Sequence, residues 1–576
     1  MNVKEIIKKV YKTNWRLLLT ITVMSLFSVA IRTSSPLFLK EVITYIEASN
    51  LTLLILWGTL FAVAIIMSFF LTSFNNSRII KLGNMITESL SSATYKNYIR
   101  SEFLEATKFS QDDVIKRILK NSNEIGNKYY SQHIFASLYQ SVLLISLTIV
   151  LLIINPWFGL ITLASFPLYY FITKQITKLV IARKESLNNY NNLLQQTVND
   201  TTNRLKSIKT LNGIIEEENN FLLLSKEYAK ANRKSENTKQ YDDKNIATLL
   251  LSIIMVSIIT VGGYLITQGI QSLGVVIASV FLLIEIYSTL RLLLTFLIKP
   301  FSIKTEKNEI DELLAMKPEN RSDTVQQLDE IYSLKFKDVC FDYGQNTSFN
   351  LQDINFELKK GEKLGILGLT GSGKTTLADL LMKLIRPKQG AILINNCDIN
   401  KVNTYYLREL IAIVPQSHLI IRGTFAQNVT YPLPFDEYKY NDALNRCRLK
   451  PLINSLEKKD QTIIDDSINL SASDKQKIAI ANALYKDAKI YVFDDSTAKM
   501  NQDLEKEIID EIYKLKNKII ILISNRIHNL TKCDKIIILN NGRIVEAGKT
   551  SELLENSKST FARLVGEQSQ IRVVSK

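Results

Sequence analysis

Long apolar runs and charged stretches alternate along roughly the first 300 residues. Six apolar segments stand out, at 15–43, 51–74, 134–155, 157–179, 246–268 and 273–298. Each reaches the roughly 20 residues that a bilayer-crossing helix needs. Buried helices of a soluble protein would share that apolarity but not the placement of charge. The short connections 44–50, 156 and 269–272 carry no Lys or Arg, whereas the N-terminus and the long connections 75–133 and 180–245 are rich in both. That alternation predicts a multi-pass protein of the plasma (inner) membrane with both termini and both long connections in the cytoplasm.

The long connections carry apolar residues at helical spacing and almost no Pro or Gly, which predicts helices that continue beyond the membrane. Their expected tips lie near 102–113 and 203–213. The basic, amphipathic opening MNVKEIIKKVYKTNWR predicts a short interfacial helix leading into the first span.

After residue 300 the pattern changes to that of a soluble α/β protein. A polar stretch at 302–328 containing KPENRSD marks the change. The expected division is a six-helix transmembrane domain at 1–301, a linker at 302–333 and a soluble domain at 334–576. The net charge of +15 could indicate a nucleic-acid binder, but the spans assign it to the cytoplasmic side of a membrane protein, so no nucleic-acid partner is expected. Cys340, Cys397, Cys447 and Cys533 all fall in the soluble part without a CxxC pair, as expected of reduced thiols.

Residues 368–375 read GLTGSGKT, the G-x-x-x-x-G-K-[ST] pattern, between an apolar strand-like run at 363–367 and a helix start at 375. Such a loop turns successive backbone N–H groups of Gly368, Leu369, Thr370, Gly371, Ser372, Gly373, Lys374, Thr375 and Thr376 towards nucleotide phosphates. Lys374 supplies positive charge and Thr375 a hydroxyl for Mg²⁺. Residues 490–495 read IYVFDD, a buried strand ending in Asp494, which is placed to hold the Mg²⁺ shell. ATP and Mg²⁺ are therefore the expected cofactors.

With these motifs in order, the chain resembles the ATP-binding cassette (ABC) exporters that have six spanning helices per half, over nearly its whole length. Tyr343 lies where that family stacks an aromatic on adenine. Gln416, in IVPQSHL, matches the glutamine that senses Mg²⁺ and the γ-phosphate, and Asn428, in GTFAQNV, a position just beyond it. LSASDKQKIAIANAL, at 470–484, lies where the family has LSGGQ and a basic helix, which puts Ser471 against a partner's nucleotide. IIILISNRI and IIILNNGRIVEAG match the closing strands. The resemblance implies an all-α transmembrane domain followed by an α/β P-loop ATPase domain with a helical subdomain. It also implies two such domains joined head to tail, and hence a second half-transporter. The implied activity is ATP hydrolysis coupled to export of a hydrophobic or amphipathic cargo such as a peptide, lipid or drug-like molecule. No cysteine-protease segment precedes the first span, so leader-peptide cleavage is not expected.

Four positions depart from the family pattern. Asp495 replaces the catalytic glutamate and draws its carboxylate back by about 1.5 Å. Asn525 replaces the histidine that contacts the γ-phosphate and cannot carry charge. LSGGQ has become Leu470, Ser471, Ala472, Ser473 and Asp474, and Asn501 replaces an aspartate. Together they predict a subunit that binds ATP and hydrolyses it slowly, with a heterodimer favoured over a homodimer. The alternative is a non-hydrolysing structural or regulatory subunit of such a heterodimer. Arg32, His133, Glu285 and Arg291 fall in or beside apolar runs, where polar groups line wet cavities, pair or snorkel. Glu285 is expected to line a cavity.

Overall fold

The computed structural model describes residues 2–239, 243–298, 303–319, 328, 330–344, 350–416, 420–465, 468 and 470–566. The chain divides into two units. One holds residues 1–99 and 109–316, the other 100–108 and 317–576.

The first unit is helical among its described residues. Trp15–Glu47, Leu51–Arg100, Gln111–Ile154, Thr248–Thr267 and Leu273–Leu294 are long and apolar enough to cross a membrane. The sixth expected segment, 157–179, lies in the helix Pro156–Asn203 but does not reach the same apolarity. Ser165, Pro167, Tyr169, Tyr170 and Lys174 dilute its run. The helical reading of the long connections holds. Leu51–Arg100 is a single helix of 50 residues and Pro156–Asn203 one of 48. At ~1.5 Å per residue each extends well over twice the ~30 Å of a bilayer core.

Two ends of this unit differ from the sequence expectation. The opening helix, Val3–Thr13, starts with a capping box between Asn2 and Glu5, and its apolar face of Val3, Ile6, Ile7 and Val10 is buried. That face packs with Leu82, Ile86, Ile125 and Ile310, so protein rather than a lipid interface covers it. In the stretch expected to be a linker, residues 304–315 form a helix. Ile310 and Leu313 are buried, Asp311 accepts the Val3 N–H at 2.8 Å, and Glu309 receives Lys116 at 3.0 Å. Its mixed charges are partners for other helices of the unit. Residues 302, 320–327 and 329 of that expected linker lie outside the described residues.

The charge pattern makes a prediction about orientation. In a cysteine-free background, single cysteines at Asn50 and Ser272 are expected to react with a membrane-impermeant maleimide from outside intact cells. Ser272 is preferred to Gly269, whose φ of +72° would strain any other residue. Labelling only after the inner face is opened would reverse the topology.

The second unit contains two larger sheets. An antiparallel sheet runs in the order Asn350–Lys359, Ser333–Asp342, Gln389–Ile394, Cys397–Asp398. A six-stranded sheet runs Arg543–Lys549, Lys535–Asn540, Lys363–Gly368, Ile519–Ile523, Ile490–Asp494, Ile411–Val414. All its neighbours pair in parallel except the edge strand Arg543–Lys549. Ile490–Asp494 and Ile519–Ile523 are buried at every position, as strands covered on both faces must be. A helical layer that includes Phe425–Thr430, Glu437–Arg446 and Ala472–Lys486 packs around Phe425, Leu444 and Ile480.

Candidate active site

Parallel pairing brings the carboxyl ends of four strands to one edge. Ile523 lies opposite both Asp494 and Ile366, and Val414 opposite Phe493. Open α/β sheets bind ligands beyond such ends. The four segments that follow supply the phosphate loop, Asp495, Asn525 and Gln416. They surround a cavity of about 260 Å³ lined by Tyr343, Thr370, Gly371, Gly373, Lys374, Thr375, Thr376, Gln416, Asp494, Asp495 and Asn525. Gly368, Leu369 and Ser372 belong to the loop but do not line the cavity.

The loop holds a shape that side chains resist. Gly371 has φ of +82° and Gly373 of +105°. Both values lie in the region where glycine alone carries no steric penalty. Lys374 opens the helix Lys374–Leu381, so the helix N-terminus faces the cavity. Its Nζ donates to the carbonyls of Gly368 at 2.6 Å and Leu369 at 2.9 Å, which fixes the ammonium over the loop. Burial pulls the Lys374 ammonium below the usual lysine range, opposed by the nearby Asp495 and Asp494. The Thr375 hydroxyl donates to Asp494 Oδ2 at 2.6 Å. Burial pushes the Asp494 carboxyl above its ordinary value, against the Thr375 hydrogen bond.

Thr375, Asp494 and Gln416 thus converge on one cavity with oxygen donors only, the chemistry a hard cation such as Mg²⁺ requires. When bound there with ATP, Mg²⁺ would neutralise phosphate charge. Tyr343 meets Phe341 edge-on, with ring centroids 4.8 Å apart, and its hydroxyl lies 3.2 Å from Thr376 Oγ1. Tyr343 is 43% exposed at the mouth of the cavity.

Asp495 and Asn525 close on each other. The Asn525 backbone N–H donates to Asp495 Oδ1 at 3.1 Å and Asn525 Nδ2 donates to Oδ2 at 3.3 Å. Asp495 takes φ of +43°, a left-handed value that Asp tolerates better than most residues. The amide that stands at the histidine position is therefore engaged with the shortened carboxylate.

Ser471 lies outside this cavity. It caps the helix Ala472–Lys486, accepting from Asp474 N and donating to Asp474 Oδ2 at 2.6 Å. Lys477 pairs with Asp474 at 2.7 Å, and despite burial these partners hold its carboxyl below the ordinary range. The carboxylate that replaces the family's residue at this helix start is thus folded back onto Ser471 and Lys477. Asn501 caps the helix Gln502–Tyr513, and Asn428 locks its loop by hydrogen bonds to Ile421 and Thr424.

A second network near the site was missed. Glu505 is 1% exposed and receives Thr497 at 2.8 Å, Asn529 at 2.7 Å and Arg526. Arg526 also donates to the Ala498 carbonyl, so the segments after Asp495 and after Asn525 are tied together. His528 lies 3.7 Å from Glu505 rather than in the cavity. A sequence signal existed: Glu505 shares one helix face with Ile508, Ile509 and Ile512.

Residues 18–289 match the family "ABC transporter transmembrane region", and residues 351–498 match "ABC transporter". The chain is 27% identical over 369 residues to the lactococcin-G-processing and transport ATP-binding protein LagD of Lactococcus lactis subsp. lactis, covering 63% of this chain and 52% of that protein. It is 28% identical over 436 residues to the transport/processing ATP-binding protein ComA of Streptococcus pneumoniae, covering 74% and 59%. Similarity to the ATP-dependent lipid A-core flippase of Saccharophagus degradans reaches 34% over 238 residues, covering 41% and 40%. The chain thus spans about half the length of these relatives. The solved structure of a bacterial Atm1-family ABC exporter with ATP bound superimposes with a TM-score of 0.80 at 22% identity, covering 96% of this chain and 98% of that one, and so shares its fold. The chain therefore joins an ABC transporter transmembrane region to an ABC transporter ATP-binding domain in one polypeptide.

Proposed function

We propose that this chain is one half of an ATP-driven exporter of hydrophobic, amphipathic or peptide cargo, and that its own phosphate loop belongs to a slow site. The observation that carries the slow site is the Asp495–Asn525 pair inside the cavity built by Lys374, Thr375 and Asp494. Lys374 and the loop N–H groups would bind the phosphates. Thr375, Asp494 and Gln416 would hold Mg²⁺, and Tyr343 would stack on the base. Asp495 would be the group nearest to a general base, but both its oxygens already accept hydrogen bonds from Asn525. The transport reading and the cargo class are supported by resemblance to a lactococcin-G-processing and transport protein, a transport/processing protein and a lipid A-core flippase. A second half-transporter would supply the helix facing this phosphate loop. A partner with an intact glutamate and histidine would carry most turnover, which favours a heterodimer.

The segment 100–108 supports a route from nucleotide to cargo. It belongs to the same unit as the ATP-binding domain. Ser101 pairs in antiparallel fashion with Pro318, Glu102 N–H donates to the Lys317 carbonyl at 3.0 Å, and Arg386 reaches the Glu102 carboxylate at 3.0 Å. Glu102, Phe103 and Leu104 share a recess with Phe341 and Tyr343. The other expected tip, near 203–213, includes the helix Leu205–Thr210 and the exposed Leu211.

The test is a single cysteine at Ala136, in the membrane unit. ATP-Mg²⁺ is expected to change its labelling rate in the reconstituted transporter, and Lys374→Ala to abolish the change. Replacing residues 102–108 by a Gly-Ser segment is expected to abolish the change as well while ATP still binds. A labelling rate indifferent to ATP would reject the transport reading. A response that survives the loop replacement would reject 102–108 as the route.

A further inference from the structure

The cavity at the phosphate loop contains an electrostatic conflict. Among the described residues lining it, Lys374 is the one cation, and Asp494 and Asp495 are anions. Mg²⁺ would answer Asp494 and part of the phosphate charge. Asp495 would share the cavity with the phosphates, and like charges repel strongly in a partly buried site. Each phosphate added to the nucleotide raises that repulsion. Asn525 softens it, because its backbone N–H and its Nδ2 both donate to the Asp495 carboxylate. Tolerance for the terminal phosphate of ATP therefore depends on keeping Asn525 against Asp495.

Neither residue fixes that pose by itself. Asp495 follows the strand Ile490–Asp494 and Asn525 the strand Ile519–Ile523, so each heads its own loop. The two loops meet on one buried carboxylate. Glu505 Oε1 accepts from Thr497, in the loop after Asp495, at 2.8 Å and from Asn529, beyond Asn525, at 2.7 Å. Arg526, next to Asn525, donates to Glu505 Oε2 and also to the Ala498 carbonyl at 3.0 Å. Charge-assisted bonds to a buried carboxylate are strong, and removing one partner of such a set leaves the others unmatched.

We propose that Glu505 is a positioning residue that sets the preference of this site for a nucleoside triphosphate over a diphosphate. It acts through Asn525, and Asn525 acts on the charge of Asp495. The inference rests on the ATP-site reading and adds a determinant of nucleotide preference to it. Loosening the anchor frees Asn525, bares Asp495 and weakens ATP more than ADP.

The full chain in nanodiscs with Mg²⁺ is titrated with ADP and with adenylyl imidodiphosphate, which keeps the terminal phosphate and resists cleavage. Glu505→Gln is expected to weaken the imido nucleotide about tenfold and ADP by no more than about twofold. Thr497→Val keeps the side-chain shape and removes one donor. It is expected to move the ratio the same way by about threefold, and it carries the test should Glu505→Gln fail to fold. Adding Asp495→Asn to either variant is expected to bring the ratio back, because an amide has no charge to repel the phosphate. Loosened folding alone would weaken both nucleotides alike, and Asp495→Asn would not cure it. Equal weakening of both nucleotides, a ratio unchanged in both variants, or no recovery with Asp495→Asn would overturn the proposal. If nucleotide binding still depends on Lys374 in those cases, the ATP-site reading stands and only the role of Glu505 falls. Binding of neither nucleotide by the unaltered chain would sink both.

Discussion

Lys374→Ala is expected to weaken ATP-Mg²⁺ binding by about 100-fold or more, read by calorimetry on the purified chain, with helix content unchanged. The size follows from what the ammonium does. It is mostly buried, it is pinned over the loop by two backbone carbonyls, and it faces the place where phosphate charge would sit. A charge-assisted hydrogen bond contributes ~1.5–3 kcal/mol, and tenfold in affinity is ~1.4 kcal/mol. A bound triphosphate would offer a lysine so placed more than one oxygen, so the upper part of that range applies. The fold should tolerate the change, because the φ values of Gly371 and Gly373 shape the loop without Lys374. Unchanged affinity would mean that the nucleotide binds elsewhere.

The second large effect is a gain. Asp495→Glu is expected to raise the ATPase rate at this phosphate loop by roughly 10- to 100-fold, since a misplacement of ~1 Å at a reacting group can cost ~100-fold. Asp495 lines the cavity, so an added methylene can extend the carboxylate into open volume. The longer side chain also leaves the geometry in which Asn525 occupies both Asp495 oxygens. A glutamate at φ of +43° is less comfortable than an aspartate and costs about 1 kcal/mol. That loss lowers the melting temperature slightly without cancelling the gain. Asn525→His added to Asp495→Glu should raise the rate further by restoring a group able to carry charge towards the γ-phosphate. No gain in either variant would move the bottleneck away from Asp495 and Asn525, to the helix that a second half-transporter would bring to this phosphate loop.

Legibility in the sequence followed how local each feature is. The phosphate loop and the strand ending at Asp494 were readable because turn glycines, a strand and a helix start lie within a dozen residues. Leu273–Ile298 is the helix that its apolar run predicted. Features set by distant partners were not readable. The helix Lys304–Ala315 looks like a polar linker until Val3 and Lys116 are placed against Asp311 and Glu309. Glu285 was expected to line a cavity. It pairs with Arg32, some 250 residues away, and Arg32 lines one. The buried role of Glu505 was written in its helix periodicity but required reading a charged residue as part of an apolar face.

The central claim is that this chain holds ATP firmly and cleaves it slowly. Its most direct measurement is the ATPase rate of the purified chain without any partner, compared with Asp495→Ala under saturating ATP-Mg²⁺. The expected result is a rate that is low and essentially the same in both, with ATP retained at the site. Robust hydrolysis by the isolated chain that collapses in Asp495→Ala would contradict the account and make Asp495 a working catalytic base.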